Sequence, residues 1–115
     1  MAAQLNELND IEDLARALDE SDRRPVLIFK HSNSCPISTK AYSQFLSFLE
    51  QADSNVSYNL VTVQEARDVS NEIASRLRLE HQSPQAILIR KGRTVWNASH
   101  FAITVESLSD AVAAV

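Results

Sequence analysis

The chain has little cysteine and no long apolar run. Cys35 is the one cysteine in 115 residues, so no disulfide can form within the chain, and one cysteine with scattered histidines argues against a structural zinc site. No stretch approaches the ~20 apolar residues of a membrane span, and residues 1–5 lack the charged and apolar segments of a signal peptide. These absences predict a cytoplasmic protein without a membrane anchor.

Positive charge is also scarce. Lys and Arg total 11 against 15 Asp and Glu, a net charge of −4, so the chain has no electrostatic footprint for nucleic acid. The hydrophobic fraction of 44% is ordinary for a globular protein. A chain of this length supplies one hydrophobic core. Because no linker or repeat divides it, we expect residues 1–115 to form a single domain.

The apolar residues predict an alternation of helices and strands. The expected elements are a helix over 10–18, a strand over 26–29, a polar turn over 30–34, a helix over 36–52, a strand over 56–63, a helix over 65–79, a strand over 86–89, a hairpin at Lys91-Gly92 into a strand over 94–96, and a helix over 104–115 with Thr104 as its N-cap. A crossover helix favours parallel pairing of the first two strands, whereas the hairpin is antiparallel. This order predicts an α/β protein with the thioredoxin-like fold, a mixed four-stranded sheet flanked by helices.

Cys35 lies where a reactive thiol is expected, between a strand and a helix. Proline is favoured as the first residue of a helix, so Pro36 makes Cys35 the expected N-cap. Its sulfur would then face the free amides of Ile37 and Ser38 and the positive end of the helix dipole, which favour a thiolate. The alternative is a buried cysteine that only fills space. The polar turn that ends at Ser34 favours the reactive thiol.

Three residues near Cys35 in the sequence, Ser38, Lys30 and His31, are candidates for functional roles. Ser38 stands where a Cys-x-x-Cys pair has its second cysteine, and because a hydroxyl cannot attack a mixed disulfide, a second thiol must come from outside. Alternatively, Ser38 only donates to the backbone or to the thiolate; neither reading makes it essential. Lys30 and His31 can stabilise a thiolate by positive charge, or they can be solvated turn and strand-end residues. We expect no metal site, because His81 and His100 lack ligand-like spacing with Cys35.

Several segments resemble one known family, the YtxJ-type monothiol bacilliredoxins. The similarity runs from about Ile11 to the C-terminal helix and rests on Phe29-Lys30-His31-Ser32, Cys35-Pro36-Ile37-Ser38, Ser83-Pro84-Gln85-Ala86, Val95-Trp96 and Ser99-His100. The family motif is usually Thr-Cys-Pro-Ile-Ser, and this chain has Ser34 in the first position. The resemblance implies a thioredoxin-like fold and a cysteine that exchanges with mixed disulfides between proteins and bacillithiol or a similar small thiol.

The resemblance also implies the remaining parts of the site. The Ser83–Pro84 bond would be cis and lie beside Cys35, with the Ser83 backbone facing the substrate. The leading hypothesis is a monothiol oxidoreductase that removes a low-molecular-weight thiol from client proteins, with that thiol as co-substrate and no bound cofactor. One alternative is a binding module without catalysis. Another is an iron–sulfur carrier like the monothiol glutaredoxins, although their Cys-Gly-Phe-Ser motif differs at Pro36 and Ile37.

Overall fold

A mixed sheet of five strands forms the centre of the computed structural model, which describes residues 3–115. Met1 and Ala2, the first residues of the predicted domain, lie outside this range. The elements are β1 (Leu5–Glu7), α1 (Ile11–Glu20), β2 (Val26–His31), α2 (Pro36–Leu49), β3 (Ser57–Thr62), α3 (Arg67–Leu77), β4 (Gln85–Arg90), β5 (Arg93–Ser99), a 3₁₀ turn (His100–Ala102) and α4 (Val105–Ala113). The strand order is β1-β3-β2-β4-β5. β1, β3 and β2 are parallel, whereas β4 is antiparallel to both β2 and β5.

The predicted number of strands was wrong by one, because β1 carries almost no strand signal. Leu5, Asn6 and Glu7 pair with Tyr58, Asn59 and Leu60 of β3 at the edge of the sheet. β1 has only three residues, two of them polar and exposed. Such a segment lacks the alternation or the apolar run by which strands are predicted.

Helices cover both faces of the sheet. Side chains alternate across a strand, so Leu27 and Phe29 of β2 face α2 and α4, while Val26 and Ile28 face α1 and α3. β2, β3 and β4 are buried on both faces, which explains the apolar runs Val26–Phe29 in β2 and Ala86–Ile89 in β4. β3 is less apolar, because it also carries the buried polar residues Ser57 and Asn59. The helices on both faces hold β2 in place, and the turn that leads to Cys35 begins where β2 ends.

β2 is longer than the sequence indicated. Lys30 and His31 were predicted to begin a polar turn, but both are in the strand and pair with Val61 and Thr62 of β3. The ladder continues one step further, because the Val63 N–H donates to the His31 carbonyl at 2.8 Å. The polar side chains of Lys30 and His31 suggested a turn, but pairing with β3 extends the strand through both residues.

The ends of several elements follow the predicted local chemistry. Thr104 is the N-cap of α4 and forms a reciprocal capping box with Ser107. Lys91 and Gly92 both have positive φ, 55° and 74°, which is the backbone of a type I′ hairpin turn. The predicted cap and hairpin are thus confirmed. Within residues 3–115, no helix is long and apolar enough to cross a membrane.

Candidate functional site

Cys35 is the N-cap residue of α2. Its backbone is extended (φ −112°, ψ 120°), and Pro36 opens the helix after it. The Thr39 N–H donates to the Cys35 carbonyl at 3.0 Å, which closes the first helical turn. The thiol is free and partly exposed. The structure therefore places the free thiol of a partly exposed cysteine at the positive end of a 14-residue helix.

The sulfur makes no capping hydrogen bond to α2 within the described part of the chain. The sequence predicted that it would face the amides of Ile37 and Ser38. The N-cap position matches this expectation, but no direct bond to either amide is formed. What α2 offers the thiol is the field of its dipole, which favours a negative charge at this end.

Ser38 is fully buried and bonds the turn that leads to Cys35. Its Oγ accepts a hydrogen bond from the Ser32 N–H at 2.8 Å and lies 2.8 Å from His31 Nδ1. The sequence predicted that Ser38 donates to the backbone or to the thiolate. One observed partner is a backbone N–H, but Ser38 accepts from it, and the other is His31, because β2 ends directly beside the first turn of α2. Ser38 closes the loop between these two elements.

His31 is half-buried and stacks on Tyr42 of α2, with ring centroids 4.6 Å apart. Burial lowers the pKa of His31 below its ordinary value, so the imidazole is neutral at pH 7. The Ser38 hydroxyl can then donate to Nδ1, because its oxygen already accepts from Ser32. At neutral pH His31 therefore acts as a hydrogen-bond partner, and stabilisation of a thiolate by an imidazolium is not favoured.

Lys30 lies on the other face of the sheet. It is fully buried, and its Nζ has no hydrogen-bond partner within residues 3–115. Burial lowers the pKa of Lys30 to about 8, so the ammonium is still mostly charged at pH 7. The two residues that the sequence grouped as neighbours of the thiol are thus separated by the sheet, and His31 is the one that bonds Ser38.

Gln64 is a site residue that the sequence analysis missed. Its Nε2 donates to Ser32 Oγ at 2.7 Å and to Ser34 Oγ at 3.1 Å, and its Oε1 accepts from the Asn33 N–H at 3.1 Å. One side chain thus holds three consecutive residues of the turn before Cys35. The available signal was topological: β2 and β3 are parallel neighbours, so residues just after their carboxyl ends lie close together.

The Ser83–Pro84 bond is cis, and Pro84 is buried. The pairing of Lys30 with Gln85 puts the start of β4 beside the end of β2, so Pro84 lies at the same edge of the sheet as the turn to Cys35. The Ser83 hydroxyl oxygen is buried without a partner in the described residues. The His100 N–H donates to the Pro84 carbonyl at 3.2 Å, which ties the 3₁₀ turn to this edge.

The absence of a metal site, expected from the spacing of His81, His100 and Cys35, stays a prediction. Among residues 3–115, no three His, Cys, Asp or Glu side chains come together as metal ligands would. His81 and His100, which the sequence analysis set apart from Cys35, belong to no such cluster.

Comparison with known proteins identifies the class and the family. A solved structure described as a proposed oxidoreductase with a thioredoxin fold is 36% identical, with 93% of this chain and 92% of that chain covered and a TM-score of 0.82. Together with one accessible thiol at a helix N-cap, this relative places the protein among the thiol oxidoreductases of the thioredoxin fold. The family model "Monothiol bacilliredoxin BrxC" matches residues 6–108. The chain belongs to the monothiol bacilliredoxin family.

More distant structures share the fold alone. Thioredoxin from Fasciola hepatica is 14% identical, with 95% of this chain and 97% of that chain covered and a TM-score of 0.76. Thioredoxin from Schistosoma mansoni is 16% identical, with coverage of 96% and 94% and a TM-score of 0.76. The predicted thioredoxin-like α/β fold is confirmed, with five strands in place of four.

Proposed function

We propose that the protein removes a low-molecular-weight thiol, bacillithiol or a similar compound, from mixed disulfides on client proteins. The observation that carries this proposal is the pairing of one accessible thiol, Cys35, with a hydroxyl at Ser38. In a dithiol enzyme the second sulfur resolves the intermediate internally. Here Ser38 is buried and engaged with Ser32 and His31, so resolution needs a thiol from outside.

The proposed exchange balances without an added oxidant. The Cys35 thiolate attacks the small-thiol sulfur of the client's mixed disulfide. A bond forms between these two sulfurs, and the client thiolate leaves and takes a proton. A second small-thiol molecule, reacting as its thiolate, then attacks the small-thiol sulfur held on Cys35. The products are the small-thiol disulfide and the regenerated Cys35 thiolate, so the small thiol supplies the electrons that reduce the client.

The other parts of the site have supporting roles in this proposal. Ser34, Pro36 and Ile37 complete the motif around Cys35, and Ser83 and Pro84 form the face that meets the client. The small thiol is a co-substrate, so no bound cofactor is required. A reducing thiol pool is a property of the cytosol, which is where we propose the protein works.

Lys30 lies on the face of the sheet opposite α2, and we propose that it acts on Cys35 only as a distant positive charge at the end of β2. Lys30 keeps a positive charge inside the fold near the end of β2, and its Nζ has no hydrogen-bond partner in the described residues. Burying such a charge lowers stability, and ionisable groups with strongly shifted pKa values are common at functional sites. His31 and Ser38 would act by holding the turn.

Transfer of mass tests the proposal. A test protein carrying one glutathione or bacillithiol adduct is mixed with reduced enzyme and followed by intact-mass spectrometry. The client should lose its adduct while the enzyme gains the same mass, one for one. Cys35→Ser should gain nothing, whereas Ser43→Ala, an exposed serine of α2, should behave like the unaltered protein. An accessible Cys35 thiol that accepts an adduct from neither client would overturn the proposal.

A further inference from the structure

A groove opens between α2 and the segment that follows β5. Its walls are the α2 side chains of Ile37, Lys40, Ala41 and Gln44, which recur at helical spacing, and residues 100–104. Its volume is about 270 Å³, which is just below the range of about 300–1,000 Å³ for small-molecule sites. A groove of this size suits part of a small molecule.

The groove lies beside the first turn of α2, the helix that Cys35 caps. Its lining residue Ile37 lies in that turn. The opposite wall includes His100, whose N–H donates to the Pro84 carbonyl. Both walls are therefore fixed to the edge of the sheet that carries Cys35 and Pro84. The groove is therefore close in the chain to Cys35, two residues before Ile37.

The polar groups of the groove favour a negative charge. None of the lining residues that the structure describes is acidic, although the chain has 15 Asp and Glu residues. The Gln44 Oε1 is occupied by the Val105 N–H at 3.0 Å, which leaves its NH₂ group as the free end. Lys40 takes part in none of the three ion pairs found within residues 3–115. The groove therefore offers donors and a cation to whatever enters.

An exposed aromatic ring completes the groove. Phe101 is 67% exposed, and the Lys40 Nζ lies 6.0 Å from its ring centroid. A large apolar side chain so open to water, next to a cation that has no carboxylate partner among residues 3–115, is suited to a ligand with a carbon skeleton and an acidic group.

Resting on the proposed function, we infer that this groove binds the carboxylate-bearing part of the small thiol while its sulfur is joined to Cys35. Lys40 pairs with the carboxylate, and Phe101 covers the carbon skeleton. The groove would then make Cys35 prefer anionic small thiols over neutral ones. Glutathione carries carboxylates of this kind, whereas the client protein has only to present its own sulfur.

An equilibrium measurement tests this preference. Reduced enzyme is titrated with glutathione disulfide and glutathione, and separately with hydroxyethyl disulfide and 2-mercaptoethanol, which carry no charge. Intact mass gives the fraction of Cys35 in the adduct at each ratio, and hence one equilibrium constant per couple. Any effect of Lys40 on the thiolate itself acts on both couples equally, so the ratio of the two constants reports the groove.

Lys40→Gln should lower the glutathione constant roughly three- to fivefold and leave the mercaptoethanol constant unchanged. Lys40→Arg should restore the ratio, and 1 M salt should remove the difference between Lys40→Gln and the unaltered protein. Lys91→Gln, the same loss of charge at the far end of β4, should have no effect. An unchanged ratio in Lys40→Gln would overturn the inference alone. Failure of both disulfides to label a Cys35 thiol that iodoacetamide alkylates would overturn the proposed function and the inference with it.

Discussion

Ser38 shows how one hydroxyl can keep the site in shape without taking part in the exchange. Its Oγ bonds both the Ser32 N–H and His31, and it is fully buried. These contacts belong to the turn before Cys35 and leave the sulfur itself free. We therefore expect loss of the Ser38 hydroxyl to lower the free energy of unfolding more than it lowers the reactivity of Cys35.

Ser38→Ala should lower the free energy of unfolding by roughly 1–2 kcal/mol, because the half-buried Ser32 N–H loses its acceptor. Urea denaturation measures this loss. The folded variant should still take up a small-thiol adduct at Cys35, in contrast to Cys35→Ser. Ser43→Ala on the exposed face of α2 should change stability by no more than about 0.5 kcal/mol. A folded Ser38→Ala protein that accepts no adduct would refute this division of roles.

Lys30 should cost the protein stability at neutral pH. Burial lowers its pKa in the folded state to about 8, below that in the unfolded chain, so the charged form is penalised wherever both states are protonated. As the pH rises above about 8, the folded state releases the proton first and the penalty fades. Replacement by Met, of similar length, removes it.

Lys30→Met should therefore raise the free energy of unfolding at pH 7, by up to about 3 kcal/mol. Its advantage over the unaltered protein should shrink between pH 8 and 10. Urea denaturation at several pH values measures the difference, and Lys91→Met, an exposed lysine, serves as the control. A Lys30→Met protein less stable than the original at pH 7 would show that the buried ammonium has a stabilising partner.

The turn between β2 and α2 is held from outside by the connection after β3. Gln64 bonds Ser32, Asn33 and Ser34 with both ends of its amide. Ser38 also bonds Ser32, but the Asn33 N–H has Gln64 as its acceptor. Exposed loop segments are among the parts of a fold that open most easily, so Gln64 helps to order the middle of the turn that presents Cys35.

Gln64→Ala should speed amide hydrogen exchange at Asn33, whose N–H loses its acceptor. Uptake of an adduct by Cys35 should slow severalfold, with little change in global stability because Gln64 is exposed. Gln51→Ala, an exposed glutamine just after α2, is the matched control. Unchanged exchange at Asn33 would mean that the three bonds do not order the turn.

The elements differ in how well the sequence predicted them. α2 and β4 could be predicted from their apolar residues. α2 buries one helical face against the core, and β4 is a continuous buried apolar run. β1 could not be predicted, since its order comes from pairing with Tyr58 and Leu60 and not from its own residues. The predicted β2 was too short for a similar reason. Pairing with β3 extends the strand through the buried Lys30 to His31.

The site was predictable where it depends on neighbours in sequence. Cys35 and Pro36 specify the N-cap by themselves. The partners of Ser38 and the role of Gln64 depend on which strands are adjacent. Gln64 bonds residues about 30 positions away, and the periodicity of a single segment does not report such contacts.

At the scale of the whole molecule, a sheet with helices on both faces presents one thiol just after the carboxyl end of its central strand, β2. β2 ends beside β4, so the turn to Cys35 and the Ser83–Pro84 segment share that edge. The chain has no second cysteine, so the oxidised product of the first exchange cannot be an internal disulfide. The account therefore requires a stable adduct on Cys35 and a second thiol to remove it.

A turnover count tests that requirement most directly. Reduced enzyme is mixed with excess thiolated client under anaerobic conditions without free small thiol, and released client thiol is counted. We predict release of one client thiol per enzyme and then arrest, with the small thiol on Cys35. Addition of free small thiol should restart the reaction. Continued release beyond one per enzyme before that addition, or arrested enzyme that carries no adduct, would contradict the account.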